Sequence, residues 1–515
     1  MSDYSNGQLI SSTPSNAFSI GSNAPGVDNI RRTFGIGDKV AELAPETSIF
    51  FSYLSKLGKK STDETVWRPL EYRNQWQRRN FTAEQYKVTG GADLAVDDIT
   101  GFADGGAGAS AATHVVIHCD YDKYGKTQIS GGDLDVASDA FTGFAPIFLT
   151  KNQVLRIGGI AYKLMADPNY YKYNGTDDAV ASTKAKAGTE KGFAILTIAN
   201  LEKIEDTAAG SPGNVAITAA EAAWNKKGQV MGSQWGEATG APDGFRDELS
   251  SVEFYTQIFK TAVPLMSGSM QATRYRGYAN EWKRIYTEHL KAHKMDLENA
   301  FLFGHGAYHS ADERFSWGIE PFIRNKGGKK YELKYGNTAG SGAGYDVNAA
   351  FTYDGMVDVM DNFMNYESGN SGQKLCLTSR SVINYLHKMG ADQFVGSSLG
   401  GASSTNPLSN VFAAGLDVKK SSFMPIDITS ISTSWGNMNF VAHPLFRGDM
   451  ENTAVCVDLS NVTLRPLAGN GISRDTFIET NVQENDIDGR KDMIITETGL
   501  EVMLPETHAV IDFVS

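Results

Sequence analysis

The sequence predicts an α+β protein assembled from several parts, and three observations carry that expectation. At 515 residues the chain is too long for one ordinary core, which implies two or three domains or one domain with large insertions. One helical period runs unbroken from Tyr278 to Phe303. Short strand-like runs divided by turn residues surround it, and Gly is abundant, with 53 copies against 15 Pro and no Gly-X-Y period.

Composition narrows the function. Hydrophobic residues make up 41% and charged residues 21%, the balance of a globular protein and not of a disordered chain. The net charge of −13 argues against a protein whose main task is to grip phosphate backbones. Basic clusters at Lys56, Lys59 and Lys60, at Arg73, Arg78 and Arg79, and at Arg324, Lys326, Lys329 and Lys330 are local exceptions, expected as solvated loops and inter-subunit salt bridges. No stretch approaches the ~20 consecutive apolar residues of a membrane span, and Met1 to Pro25 is polar without a basic-then-apolar signal, which predicts a chain made and kept in a cytoplasm. Cys119, Cys376 and Cys456 stand far apart in apolar surroundings and read as small buried fillers, with no disulfide scaffold and no zinc ribbon.

The elements follow in order. Met1 to about Val27 is rich in Ser, Asn and Gly, the composition of an arm that orders only against a neighbour. From Val40 to Leu57 a helical pattern carries Leu43, Phe50, Phe51, Leu54 and Leu57, broken by Pro45 and ending near Gly58. An extended run from Thr65 to Tyr72 follows. Between Thr89 and Gly232 short strands are predicted at Thr113 to Cys119, Ile147 to Thr150, Ala161 to Met165 and Ala194 to Ile198, with an exposed loop at Asp177 to Lys191. That spacing suggests a small β-barrel or sandwich inserted into a host domain.

The long helix places Trp282, Ile285, Tyr286, Leu290, Leu297 and Phe301 at spacings of three, four and seven, and Gly304 and Gly306 end it by supplying positive φ. A second helix opens near Thr352 with Met356, Val359, Met360 and Phe363. Lys374 to Leu377 reads as a strand, then a helix capped by Ser379 and ended by Gly390, which together make an α/β unit. After a Ser and Gly rich loop at Gly396 to Thr405, strands are predicted at Met438 to His443, Ala454 to Leu459, Val462 to Leu464, Thr476 to Thr480, Met493 to Met503 and Ala509 to Phe513, as a β meander.

Several short runs then give this order a family resemblance. Leu43-Ala44-Pro45-Glu46-Thr47-Ser48-Ile49-Phe50 is followed by Leu54, by Gly58 to Ser61 and by Trp67. Further on stand Trp235-Gly236-Glu237-Ala238, Tyr255-Thr256-Gln257-Ile258-Phe259, and Val263, Ser267 and Gly268. Asp296-Leu297-Glu298-Asn299-Ala300-Phe301-Leu302-Phe303-Gly304 closes the long helix, and Glu497-Thr498-Gly499-Leu500-Glu501-Val502 lies near the end. From about Val40 to Phe513 the chain resembles tailed-bacteriophage major capsid proteins of the Hong Kong 97-like fold, in the subfamily with an inserted β domain. Its segment from Gly90 to Gly232 is longer than the usual insert.

That resemblance implies an N-terminal arm at 1–48 and an extended-loop region at 49–260, with the inserted β domain at about 90–232. It implies a peripheral domain at 261–345 with its spine helix at about 278–303, an axial domain at 346–464, and closing peripheral strands at 465–515. The function implied is a homo-oligomer of hexamers and pentamers that tiles an icosahedral shell around double-stranded DNA. Portal, scaffold and decoration proteins are the further candidate partners, and the place is the virion capsid after assembly in the host cytoplasm. An acidic lining suits such a container, because like charge keeps packed DNA from adhering. Some relatives join subunits by a Lys to Asn isopeptide bond; spacing cannot reveal one, and none is expected.

Chemical motifs are weaker than their structural readings. His289 and His293 have metal-ligand spacing, yet Leu290 stands where a metalloprotease helix carries Glu, so surface histidines are expected. Gly125-Lys126-Thr127 is half a phosphate loop, with Asp120 where the first Gly belongs. Asp120, Asp122 and Gly125 begin a calcium loop that finds Gly131 at position twelve. Gly304-His305-Gly306 has no nucleophile to pair with, and Ser397, Ser398, Ser403 and Ser404 read as loop serines. No catalytic, cofactor-binding or metal residue is assigned. Competing readings are a β-rich adhesin or surface-layer protein, and a hydrolase using the serine loop.

Overall fold

The computed structural model describes Phe50, Leu54 and residues 59–73, 79–88, 99–100, 114–122, 143–176, 179–180, 192–197, 201–204, 226–241, 248–274, 280–308, 313–335, 345–364, 372–386, 421–422, 427–433 and 435–514. The arm at 1–48, all of the Val40 to Leu57 pattern except Phe50 and Leu54, Gly125-Lys126-Thr127, the Gly396 to Thr405 loop and most of Asp177 to Lys191 lie outside the described residues.

The chain divides into two compact units. Among the described residues the smaller combines parts of Ala262–Lys291 with Glu479–Met493. Its two segments meet in backbone bonds from Val263 N to Asp492 O at 2.8 Å and between Met266 and Arg490 in both directions. Helix α1, Gly268–Ala272, is capped by the Ser267 side chain, which accepts from Met270 N. Helix α2, Glu281–Phe303, starts in this unit and continues into the other. It opens three residues later than Tyr278 because Asn280 Oδ1 accepts from Lys283 N at 3.1 Å, an N-cap that the apolar period does not register.

The larger unit, Thr47–Thr261, Ala292–Ile478 and Ile494–Ser515, contains an eight-stranded mixed sheet. Its order is Val347–Ala350, Lys329–Lys334, Ala509–Val514, Thr453–Val457, Gln373–Thr378, Asn437–Ala442, Asp427–Ser432 and Ser421–Ser422. Alternate residues serve two cores, as a pleat requires. Leu375, Leu377, Val455, Val457 and Val510 face one, built with Leu297, Phe301 and Leu302 of α2 and with Ile319, Phe322 and Ile323 of helix α3, Ile319–Lys326. Cys376, Ala454, Cys456, Ile511 and Phe513 face the other, covered by Met356, Val359, Met360 and Phe363 of helix α4, Tyr353–Phe363, and by Val382 and Leu386 of helix α5, residues 380–386. The expected cap forms at Ser379, which accepts from Val382 N at 3.2 Å, and Thr352, near which a helix was expected to open, accepts from Gly355 N at 3.2 Å.

The C-terminal strands are not a meander. Gln373–Thr378 pairs in parallel with Asn437–Ala442, and Lys329–Lys334 in parallel with Ala509–Val514. Val462–Pro466, Phe477–Glu479 and Met493–Val502 instead join Gln257–Ala262 in a separate four-stranded sheet. Strand runs look alike whichever neighbour they take, so order along the chain did not reveal the partition. The eight-stranded sheet also draws strands from outside 346–464, at both 329–334 and 509–514.

A ten-stranded antiparallel sheet arises wholly between Asn80 and Ser233, in the order Leu201–Lys203, Ile160–Leu164, Gln153–Ile157, Lys226–Ser233, Asn80–Val88, His114–His118, Gly192–Thr197, Asn169–Thr176 and Ala179–Val180, with Ile99–Thr100 on Asn80–Val88. Phe81, Ile117, Phe144, Phe148, Leu155, Tyr162 and Leu164 form its own core. Ile147 to Thr150 is a turn and not a strand. The Gln153 side chain bridges Phe148 O at 2.7 Å and Thr150 N at 3.1 Å, which holds Phe148 and Leu149 in the core without a ladder.

Candidate functional site

The residues singled out by spacing take structural places. His293 is buried on α2, not on a helix surface, with Thr261 Oγ1 2.8 Å from Nδ1 and Thr496 Oγ1 2.8 Å from Nε2. Both ring nitrogens are engaged, and burial lowers its pKa and keeps the ring neutral. The signal was present: His293, Leu297 and Phe301 lie at successive intervals of four, so the histidine shares the core face. His289 is half-buried one turn earlier. Among the described residues no three His, Cys, Asp or Glu side chains converge on a metal position.

His305 is exposed in the strand His305–Tyr308. Gly304 ends α2 for a reason other than positive φ. A Cβ there would lie 2.5 Å from Ala300 O and 2.7 Å from Ser316 O, because the chain crosses itself at this point. Gly306 does have a φ of 37°, but inside the strand, where the Trp317 ring covers it. The three cysteines are free and buried as expected, although Cys376 and Cys456 stand opposite each other on adjacent strands.

The described members of the basic clusters are mostly engaged within the chain. Arg73 is nearly buried and grips Glu506 with two bonds of 2.9 Å, Glu71 at 2.9 Å and Ser250 Oγ at 2.7 Å. Arg324 holds Asp512 through bonds of 2.9 and 2.8 Å, Lys59 meets Asp475 at 2.7 Å, and Lys329 meets Asp346 at 3.7 Å. Arg73 and Arg324 correct the expectation of solvated loops, each planar guanidinium being matched by a carboxylate distant in sequence, whereas Lys59 and Lys60 are exposed as expected.

Further buried ionisable groups went unnoticed in the sequence because nothing local marks them. Lys374 is fully buried, its Nζ 2.8 Å from Asp458 Oδ2 and 2.9 Å from Thr507 O. Burial by itself would raise the Asp458 pKa, but hydrogen bonds from Lys374 and Ser460 override it and hold the carboxyl well below the usual range. Next to them, burial and the Lys374 charge push His508 down to about 4; its Nδ1 accepts from Asp458 N and its Nε2 donates to Met503 O. Glu298 of α2 accepts from Phe50 N at 2.9 Å and pairs with His443, tying the start of the described chain to the helix. Such networks bind strands and helices to one another, although one Glu298 oxygen, Oε2, stays buried without a hydrogen-bond partner.

What the surface offers is apolar. Trp282, Ile285, Tyr286 and Leu290 on the first half of α2 are only half-buried, in contrast to the buried Leu297, Phe301 and Leu302. Leu70, Tyr72, Leu249, Phe315, Trp435 and Ile472 are exposed in the larger unit, and Leu265, Met270, Val482 and Ile487 in the smaller. Where such residues are contiguous they mark surfaces that other molecules cover.

No curated protein matches the chain. Solved structures similar to it include the capsid of the native GTA particle, at 12% identity over 55% of this chain and 82% of that one with a TM-score of 0.34. The satellite phage P4 procapsid follows at 13% identity over 61% and 82% with a TM-score of 0.32, and Mycobacterium phage Patience at 12% over 55% and 77% with a TM-score of 0.32. The family described as SU10 major capsid protein matches residues 27–515. The match spans nearly the whole sequence, so the chain belongs to the SU10 major capsid protein family and is a structural, non-enzymatic subunit that forms capsid shells.

Proposed function

We propose that this subunit associates as hexamers and pentamers and tiles an icosahedral virion shell around double-stranded DNA, after synthesis and assembly in the host cytoplasm. The observation that carries this reading is apolar surface held on a rigid, internally ion-paired framework, in a chain whose family builds shells. The net charge of −13 supports a container that does not adhere to its polyanionic content. In this reading residues 1–48 are an arm that orders on a neighbour, and 49–260 form the extended-loop region with the β domain inserted at about 90–232. Residues 261–345 and 465–515 supply the peripheral domain and 346–464 the axial domain, whose sheet also takes in the strands at 329–334 and 509–514. Portal, scaffold and decoration proteins are further partners, and no isopeptide crosslink joins the subunits. Negative-stain microscopy of purified protein is expected to show closed shells of uniform diameter. A subunit that stays monomeric at high concentration would refute the reading, and ladders on a denaturing gel of mature particles would refute the absence of crosslinks.

A further inference from the structure

Two segments of the larger unit form one ribbon with an outward face that is apolar where the inward face is charged. Val66–Trp67 pairs with Phe254–Tyr255, and Leu70–Glu71 with Ser250–Ser251, in a single antiparallel register. Continuing that register sets Arg68 opposite Glu253, with which it forms an ion pair, and Tyr72 opposite Leu249. Residues alternate faces along both strands. Trp67, Phe254 and Val252 turn inward at one end, as expected of apolar side chains.

At the other end the pattern inverts. Glu71 and Ser250 are buried, 3% and 5% exposed, while Leu70, Tyr72 and Leu249 on the opposite face are 65%, 53% and 51% exposed. Glu71 cannot turn out, because Arg73 holds it together with Glu506 and Ser250, and because Glu71 Oε1 accepts from Leu504 N at 2.9 Å. A slip of one residue would bury the leucines and expel the carboxylate; the charge network forbids that slip. Buried ions therefore fix the register, and the register presents the apolar face.

We propose that this face, Leu70, Tyr72 and Leu249, docks on a second copy of the same chain within the shell. The inference takes from the shell-building function only that copies adjoin. Charge selects the occupant. Each copy carries −13, so two copies repel unless they meet over neutral surface, and among the described residues of the ribbon's outward face the charges are Arg68 and Glu253, which pair and cancel. The same neutrality excludes a nucleic-acid backbone, which requires a surplus of cations. The patch has the form of an interface centre, apolar with a charged rim, and its rigid base removes most of the ordering cost of docking.

The test places a photo-crosslinking residue at position 249 or 70 of the full chain in assembled particles. Chain-to-chain dimers are expected on illumination. Crosslinks confined to one chain, crosslinks to a different protein, or none would overturn the proposal. In parallel, Leu70→Asp with Leu249→Asp should reduce the yield of shells at least about tenfold while the free subunit keeps its unfolding midpoint. Wild-type shells accompanied by equally abundant double-variant shells would sink this docking face alone. Absence of wild-type shells would sink the shell-building reading and this inference together.

Discussion

Trp67 Nε1 donates a 2.7 Å hydrogen bond to Glu501 Oε2 across 434 positions of sequence. Arg465 binds both oxygens of the same carboxylate at 2.9 Å, so one buried glutamate joins the ribbon to two strands of the four-stranded sheet. Trp67→Phe removes the indole donor together with the outer ring edge that lies against Gly499. Loss of a hydrogen bond to a charged acceptor is expected to cost about 1.5–3 kcal/mol, read from denaturant unfolding of the free subunit. An unchanged midpoint would show that Arg465 alone satisfies Glu501.

Lys374 and Asp458 form a pair in which removing one partner should cost more than removing both charges. Lys374→Met strands a carboxylate away from water and is expected to destabilise the subunit by about 3–5 kcal/mol. Lys374→Met with Asp458→Asn keeps the acceptor for Ser460 N and should recover most of that loss. A double variant no more stable than Lys374→Met would mean that packing, and not charge, sets the cost.

Acid should destabilise the subunit through His508. Folded, it stays neutral down to about 4, whereas an unfolded histidine takes up its proton near 6.5. As pH falls the unfolded chain gains that proton first. Stability present above about 6.5 is therefore lost between about 6.5 and 4, by roughly 3 kcal/mol at most. Unfolding midpoints across this window report the slope, and His508→Gln should flatten it.

Gly318 caps α3 where the chain returns against Gly304, and its N–H donates to Gly304 O at 2.6 Å. A Cβ at position 318 would fall on the backbone nitrogens of Gly304 and Phe303. Backbone yields less readily than a side-chain end, so Gly318→Ala should cost about 1–3 kcal/mol or more. Soluble yield and thermal midpoint are the measurements; a variant as stable as the parent would show that the crossing relaxes freely.

Much of the fold was legible locally. The period of α2, the cap at Ser379, the start of a helix near Thr352 and several strand runs depend on residues within a few positions of one another. Burial of His293 was legible as well, from its interval to Leu297 and Phe301. The docking ribbon was visible only as an extended run from Thr65 to Tyr72, with no sign that its apolar residues turn outward.

The sequence by itself determined the long helix and several of the strand runs, the acidity of the subunit and, through short ordered motifs, its family. Tertiary structure alone decided which strands pair, that Arg73, Lys374 and Glu501 lie beside their counter-charges, and which face of the ribbon is presented to solvent. The physical reason is range: periodicity and capping act between near neighbours in the chain, whereas desolvation and ion pairing are set by groups that only packing brings together.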